Sequence, residues 1–278
     1  MEVLVVGNTA YVDDDFCAKA FPGDHVQVVA AQDTRRDESS PHASWKELLQ
    51  HLDQAYEFDR VVYLSNYLTP HTDTVGDIET LRSVFRACAG RRVQLLYVAG
   101  PAGAEGAADA AGRTGKGIIA RAANDLCRYY AAREGVQTKI LRVPFLYTAS
   151  AALEDPFLVP LFDACSTGSV ALQGAQDAAF PLLCTEELAV LVRRIFDSWD
   201  ASFETLDVAD AFHHTAGEVG EALQALFPGL SAAYGDSAGY NLPANDVARV
   251  RYGWFQRYDL LRDLSTIQAR WDAGRAKK

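Results

Sequence analysis

Residues 1–16 read MEVLVVGNTAYVDDDF, and the order of residues in this stretch decides the fold. Val3–Val6 is an apolar, mostly β-branched run that stops at Gly7, the pattern of a buried first strand in an α/β sheet. A turn that cradles a diphosphate after such a strand uses glycines for the tight turn, the close backbone approach and the packing of helix on strand. Three and six residues beyond Gly7 stand Ala10 and Asp13, and Asp14 and Asp15 follow. Either these acids simply cap the next helix, or they occupy electrostatically the place a phosphate would take. Like charges at ~4 Å repel by about 1 kcal/mol in water and about 4 at an effective dielectric of 20, so both readings disfavour a bound diphosphate.

Strand and helix signals alternate outward from this stretch. His25–Ala30 reads as a second strand after the turn at Pro22-Gly23-Asp24. A polar loop follows, and Ser44 with Glu47 forms a capping box for a helix carrying Trp45, Leu48, Leu49 and Leu52. Residues 59–68 form a buried strand. The next helix runs over 73–89, with Val75, Ile78, Leu81, Phe85 and Cys88 on one face. A strand over 92–100, a Gly/Ala-rich loop, a helix over 118–133 and a strand over 136–147 complete the series. Near-continuous apolar strands between helices predict a parallel, doubly wound α/β sheet. Beyond Tyr147 the prolines at 156, 160 and 181 break the pattern. Helices are expected over 185–199, 216–226 and 258–270. The division is 1–150 for the doubly wound domain and 151–278 for a mixed segment.

The chain has 278 residues, 49% hydrophobic and 23% charged, with a net charge of −11. A length of this order buries roughly 75% of the unfolded surface. The acidic balance and the lack of a long basic run argue against nucleic acid and anionic membrane surfaces as partners. No run reaches the ~18 apolar residues of a membrane span, and the N-terminus starts directly in a strand, so a cytoplasmic protein is expected. Cys17, Cys88, Cys127, Cys165 and Cys184 form no CxxC and read as reduced thiols. His213-His214, read as neighbours on a strand, point to opposite faces and are no metal pair.

Four further segments carry a family resemblance. "FDRVVYLSNYLTP" with the helix after it, "GVQTKILRVPFLYT" with Arg142, Pro144 and Tyr147, "FPLLCTEELAVLVRRIFD", and the Tyr252-Gly253-Trp254 region follow one another in the order and spacing of a known pattern. Over nearly its whole length the chain resembles the extended short-chain dehydrogenase/reductase family, of the NAD-dependent epimerase/dehydratase type. The resemblance implies a Rossmann-like NAD(P)-binding-type domain over 1–150, a small α+β substrate-type domain within 151–278 with 181–200 returning to the main domain, NAD(P) as cofactor, a nucleotide or nucleotide-sugar ligand, and a dimer formed through the two long helices. Leu81, Phe85, Leu126, Tyr129 and Tyr130 are the candidate apolar seam of that dimer, with a second copy or an active paralogue.

The residues that carry the family's chemistry depart from its pattern. Its GxxGxxG turn keeps only Gly7, with Ala10 as a small replacement. The ribose-binding acid at the end of the second strand falls on Ala31, and Asp33 lies two residues further. The family's Tyr-x-x-x-Lys pair, in which the tyrosine moves a proton with its pKa lowered by the lysine, falls on Lys116 and Ala120, or one residue on at Gly117 and Arg121. The serine positions read Ala99-Gly100-Pro101. Residues 112–117, GRTGKG, lack the spacing of a phosphate loop. Ser65, Asn66, Tyr67 and Tyr147 lie at strand ends, where open α/β sheets bind ligands. The candidates are therefore Gly7, Ala10, Asp33 and Ser65 for a cofactor, and Lys116, Arg121 and Tyr147 for catalysis, with no metal. The expectation is a degenerate family member that has lost redox catalysis and acts as a binding or partner subunit. The alternative is an active NAD(P)-dependent or nucleotide-sugar epimerase, dehydratase or reductase that uses non-standard residues.

Overall fold

A computed structural model describes residues 1–7, 11–30, 58–65, 74–100, 115–149, 155–172, 174–208, 211–236 and 246–276. The chain runs β1 (Glu2–Gly7), α1 (Asp14–Ala20), β2 (His25–Ala30), β3 (Arg60–Leu64), α2 (Thr74–Cys88), β4 (Gln94–Ala99), α3 (Gly115–Glu134) and β5 (Gln137–Arg142). It continues through β6 (Phe145–Tyr147), α4 (Leu158–Ser166), β7 (Ser169–Leu172), β8 (Leu182–Cys184), α5 (Thr185–Asp197) and β9 (Phe203–Asp207). It ends with α6 (Ala216–Leu226), β10 (Ser231–Tyr234), α7 (Asp246–Tyr252) and α8 (Leu260–Arg275).

Six parallel strands form the main sheet in the order β2-β1-β3-β4-β5-β9. Alternation along each strand divides the sheet's two faces. Val3, Val5, Val62, Leu64, Leu96 and Val98 pack under α1 and α5, whereas Leu4, Val6, Val61, Tyr63, Leu95 and Tyr97 pack under α2 and α3. This is the doubly wound, Rossmann-like sheet that the apolar strands predict. Strand order reverses at the β2–β1–β3 step, beyond Gly7 and Leu64, the kind of position at which open α/β sheets bind ligands.

Residues 183–208 and 248–254 share the core of the first face, and β9 adds the sixth strand. A separate core joins β6, α4, β7, β8, α6 and α8, with Phe162, Phe227 and Trp271 packed edge to face. Trp271 carries α8 to Arg275, beyond the expected end at 270.

Two sequence expectations are corrected. The single strand over 136–147 is two strands. Val143 N–H donates the last ladder bond to Ala99 O, Pro144 has no N–H to give, and Phe145 N–H turns to Pro181 O, so β6 pairs with β8 outside the main sheet. His213 and His214 do not lie on a strand. His213 has φ 56°, and His214 Nε2 lies 2.7 Å from Asp259 Oδ1 at the N-cap of α8. The helix expected from Ser44 lies outside the described residues.

A buried cation holds the far end of the sheet. Lys139 lies on the α1/α5 face of β5, fully buried, with Nζ 3.0 Å from Asp200 and from Glu204 and over the ring of Trp199. Arg251 of α7 pairs with the same two acids. The network ties α7 to the edge strand β9. All five cysteines are free thiols.

Candidate functional site at the carboxyl edge of the sheet

Strands β1, β3 and β5 end together, and their last residues bring several candidates to one edge. Gly7 is fixed there by packing. A Cβ on it would stand 2.8 Å from Leu64 Cβ, well inside the ~3.5–4.0 Å of carbon–carbon contact. The glycine is therefore required by the approach of β1 to β3, whether or not anything binds.

The chain then enters α1 through Asp13. Its extended backbone, φ −88° and ψ 178°, is that of an N-cap, and Oδ1 accepts from Phe16 N–H at 2.7 Å. Asp14 and Asp15 are exposed in the first turn, and Asp15 pairs with Lys19. Tyr11, just before the cap, is buried and donates its hydroxyl to Leu146 O at 3.3 Å, which locks the β1–α1 turn to β6. Burial raises the Tyr11 phenol well above its ordinary range.

Ser65 follows β3 and is buried. Its hydroxyl donates to Asp77 Oδ2 at 2.7 Å, and Tyr63 OH donates to Asp77 Oδ1 at 2.6 Å. The result is a buried polar bridge from β3 to the first turns of α2, with no signal in strand or helix periodicity to announce it. Arg142 and Asp207 close the other side of the edge as a bidentate pair at 2.5 and 2.8 Å between the ends of β5 and β9.

Tyr147 is fully buried at the end of β6, and its hydroxyl has no hydrogen-bond partner among the described residues. Burial first, and then neighbouring Cys184 and acidic side chains, raise its phenol far above the ordinary range. Asp155 lies nearby, also fully buried. It accepts from the backbone N–H of Thr148 at 2.5 Å, Leu158 at 2.6 Å and Phe157 at 2.8 Å. Burial pushes its carboxyl up to about 6 against the pull of those three donors.

Lys116 stands in the first turn of α3, and Arg121 is exposed one turn further along. Ala10, Asp33, Asn66 and Tyr67 lie outside the described residues. The structure thus brings Gly7 and Ser65 to one edge, with Tyr147 behind it in the separate core. Sequence reasoning missed Tyr11, Asp77, Asp155 and Asp207, which support that edge. Only Asp155 had a local signal, an acid three residues before the first helical position, Leu158. Of the candidate dimer seam, Leu81, Phe85 and Tyr130 are buried against the sheet, with Phe85 stacked on Tyr130 at 4.8 Å, and Tyr129 is the exposed member at 53%. Among the described residues no group of His, Cys, Asp and Glu could hold a metal ion, and no helix is long and apolar enough to cross a membrane.

No family model matches this sequence, and no curated protein matches it. Solved structures do match over its whole length. MoeE5 in complex with UDP-glucose and NAD has a TM-score of 0.73 at 16% identity, covering 100% of both chains. A short-chain dehydrogenase/reductase superfamily protein from Agrobacterium tumefaciens with bound NAD has 0.71 at 14%, covering 99% of this chain and 100% of the other. DesIV, a dTDP-glucose 4,6-dehydratase from Streptomyces venezuelae with NAD bound, has 0.71 at 13%, covering 98% and 96%. At such identities the likeness speaks for the fold alone. The chain has the fold of the short-chain dehydrogenase/reductases of the NAD-dependent epimerase/dehydratase type.

Proposed function

We propose that this chain is a degenerate epimerase/dehydratase-like protein that lacks the redox catalysis of its structural neighbours and acts as a binding or partner subunit, with a second copy or an active paralogue. The observation that carries the reading is Asp13. A helix N-terminus after the first strand receives a diphosphate through free N–H groups and a favourable dipole. Here a carboxylate of the chain itself takes the Phe16 N–H, and two more carboxylates follow. The residues present therefore do not fit a dinucleotide's diphosphate at this turn. Gly7, the one motif glycine retained, is accounted for by its contact with Leu64. Ser65 spends its hydroxyl on Asp77. The two proton-transfer positions of α3 hold Lys116 and Ala120, which supply no phenol. NAD, UDP-glucose and dTDP-glucose belong to the neighbours' descriptions, and a nucleotide sugar remains the ligand class to test on this chain.

The test is thermal stability with NAD⁺, NADH, NADP⁺, NADPH and nucleotide sugars, on the wild type and on Asp13→Gly. A ligand at 100 times its Kd adds about 2.7 kcal/mol, or roughly 5–10 °C for a chain of this size. No dinucleotide shift is expected for the wild type. A shift of that size with any dinucleotide would overturn the reading and support an active enzyme with non-standard residues.

A further inference from the structure

Charge is unevenly distributed over the surface. The chain has a net charge of −11, yet the helix pair α2 and α3, with the turns closing it, is basic. Within 79–92 and 121–134 seven arginines are exposed against three acids, Glu79, Asp125 and Glu134. Internal pairing does not cancel the excess. Arg128 approaches Asp125 at 3.7 Å. Arg82, Arg86, Arg92 and Arg133 enter no hydrogen bond or ion pair among the described residues. Arg91 and Arg121 make up the seven.

Helix packing makes these residues one surface. α2 and α3 lie side by side, with Phe85 stacked on Tyr130 at 4.8 Å. Tyr129 stands edge-on to Tyr130 at 5.4 Å and is 53% exposed, so it emerges beside the seam between the two helices. On α2, Arg82 precedes Phe85 by one turn and Arg86 follows it directly. On α3, Arg133 follows Tyr129 by one turn and shares its side of the helix. Ile78 and Leu126 are half-buried at the same helix pair. Leu81, Phe85 and Tyr130 are buried beneath it, which leaves an exposed tyrosine with guanidinium groups on both helices.

We propose, resting on the partner-subunit reading above and choosing between its two partners, that the outer face of α2 and α3 docks an acidic helical surface of a different protein and not a second copy of this chain. In a two-fold dimer through this face the same patch meets itself, so arginines would oppose arginines. Like charges brought together across an interface suppress that pairing. Arginine forks pair bidentately with carboxylates, and a tyrosine among arginines is the composition of an interface hot spot. Two adjacent helices present ridges and grooves into which another helix packs. Nucleic acid fits less well, because Glu79, Asp125 and Glu134 stand within the patch where phosphates would lie.

The experiment is sedimentation velocity on the full chain, with a charge-reversed copy carrying Arg82→Glu, Arg86→Glu and Arg133→Glu as the acidic probe. A copy with Arg193→Glu, Arg249→Glu and Arg257→Glu, which reverses as many exposed charges on other elements, is the control. Each is checked for an unchanged melting temperature. If the probe copy melts early, a labelled amphipathic helical peptide of Leu and Glu replaces it, read by anisotropy against a Leu and Lys peptide. Wild type and probe copy are each expected to be monomers alone and to form a one-to-one complex when mixed, with Kd below about 100 µM. The complex should weaken about tenfold or more as the screening length drops from ~10 Å at 0.1 M salt to ~3 Å at 1 M, and likewise when the wild-type member carries Tyr129→Ser. The control copy should not associate. No complex with the probe, or an equal one with the control, would overturn the proposal. So would a single-stranded DNA oligonucleotide that binds the wild type more tightly than the probe does, which would make the occupant nucleic acid. A wild-type dimer that the three reversals disrupt would make it a second copy, and would leave the partner-subunit reading standing. A dinucleotide shift in melting temperature would sink that reading without changing the association.

Discussion

Replacing Gly7 by alanine tests whether the first turn is held by packing alone. The new Cβ would stand 2.8 Å from Leu64 Cβ, short of contact distance by about 0.7 Å or more. Both atoms are attached directly to backbone in adjacent strands, one step beyond the registered pair Val6–Tyr63, so no side-chain rotation relieves the overlap. Overpacking of this kind costs about 1–3 kcal/mol. The loss of glycine's freedom in the unfolded chain returns about 0.4–1 kcal/mol, leaving a net destabilisation of roughly 1–2 kcal/mol. For a chain of this size that lowers the melting temperature by about 3–6 °C, read by scanning calorimetry with no ligand present. The double variant with Leu64→Ala sharpens the test, because alanine keeps the offending Cβ. The two effects should add with almost no coupling, although the partners touch. An unchanged melting temperature in Gly7→Ala, or a loss rescued by Leu64→Ala, would refute the argument.

Tyr147→Phe should leave stability unchanged or raise it slightly, by about 0–1 kcal/mol, because the hydroxyl it removes is buried without a partner among the described residues. A clear loss of stability would mean that the hydroxyl is bonded. Glu187 should impose a pH dependence. Burial pushes its carboxyl up to about 7, against the pull of the Arg257 and Tyr258 N–H groups, while the unfolded value is near 4.5. The folded state therefore holds the proton between these values, and the stability it contributes is lost as pH rises from about 4.5 through about 7. Glu187→Gln should flatten that part of the profile, and an unaltered slope would show that the group does not titrate there.

Local pattern was enough to read the architecture. Branched apolar runs ending at Gly7, Leu64, Ala99 and Arg142, separated by helices of period 3.6, admit little besides a parallel sheet covered on both faces. The break at Pro144 was signalled by a residue without an N–H, but where β6 went next was not, because its partner β8 lies 35 or more residues away.

Tertiary structure alone decided what the edge residues do. Sequence could not show that Gly7 is needed as a spacer, because that need comes from one atom of Leu64 across the sheet. Nor could it show that Ser65 is bound to Asp77, or that Arg142 meets Asp207, pairs that only strand order and crossover connections bring together. The apolar stripes of α2 and α3 read equally well as a dimer seam or as cover for the sheet. Folding turned Leu81, Phe85 and Tyr130 inward and left Tyr129 of α3 exposed, along with Phe255 and Tyr258 on the α7–α8 segment, where no periodicity marks them. Periodicity reports that a residue belongs to a face; which surface that face meets is set by contacts distant in sequence.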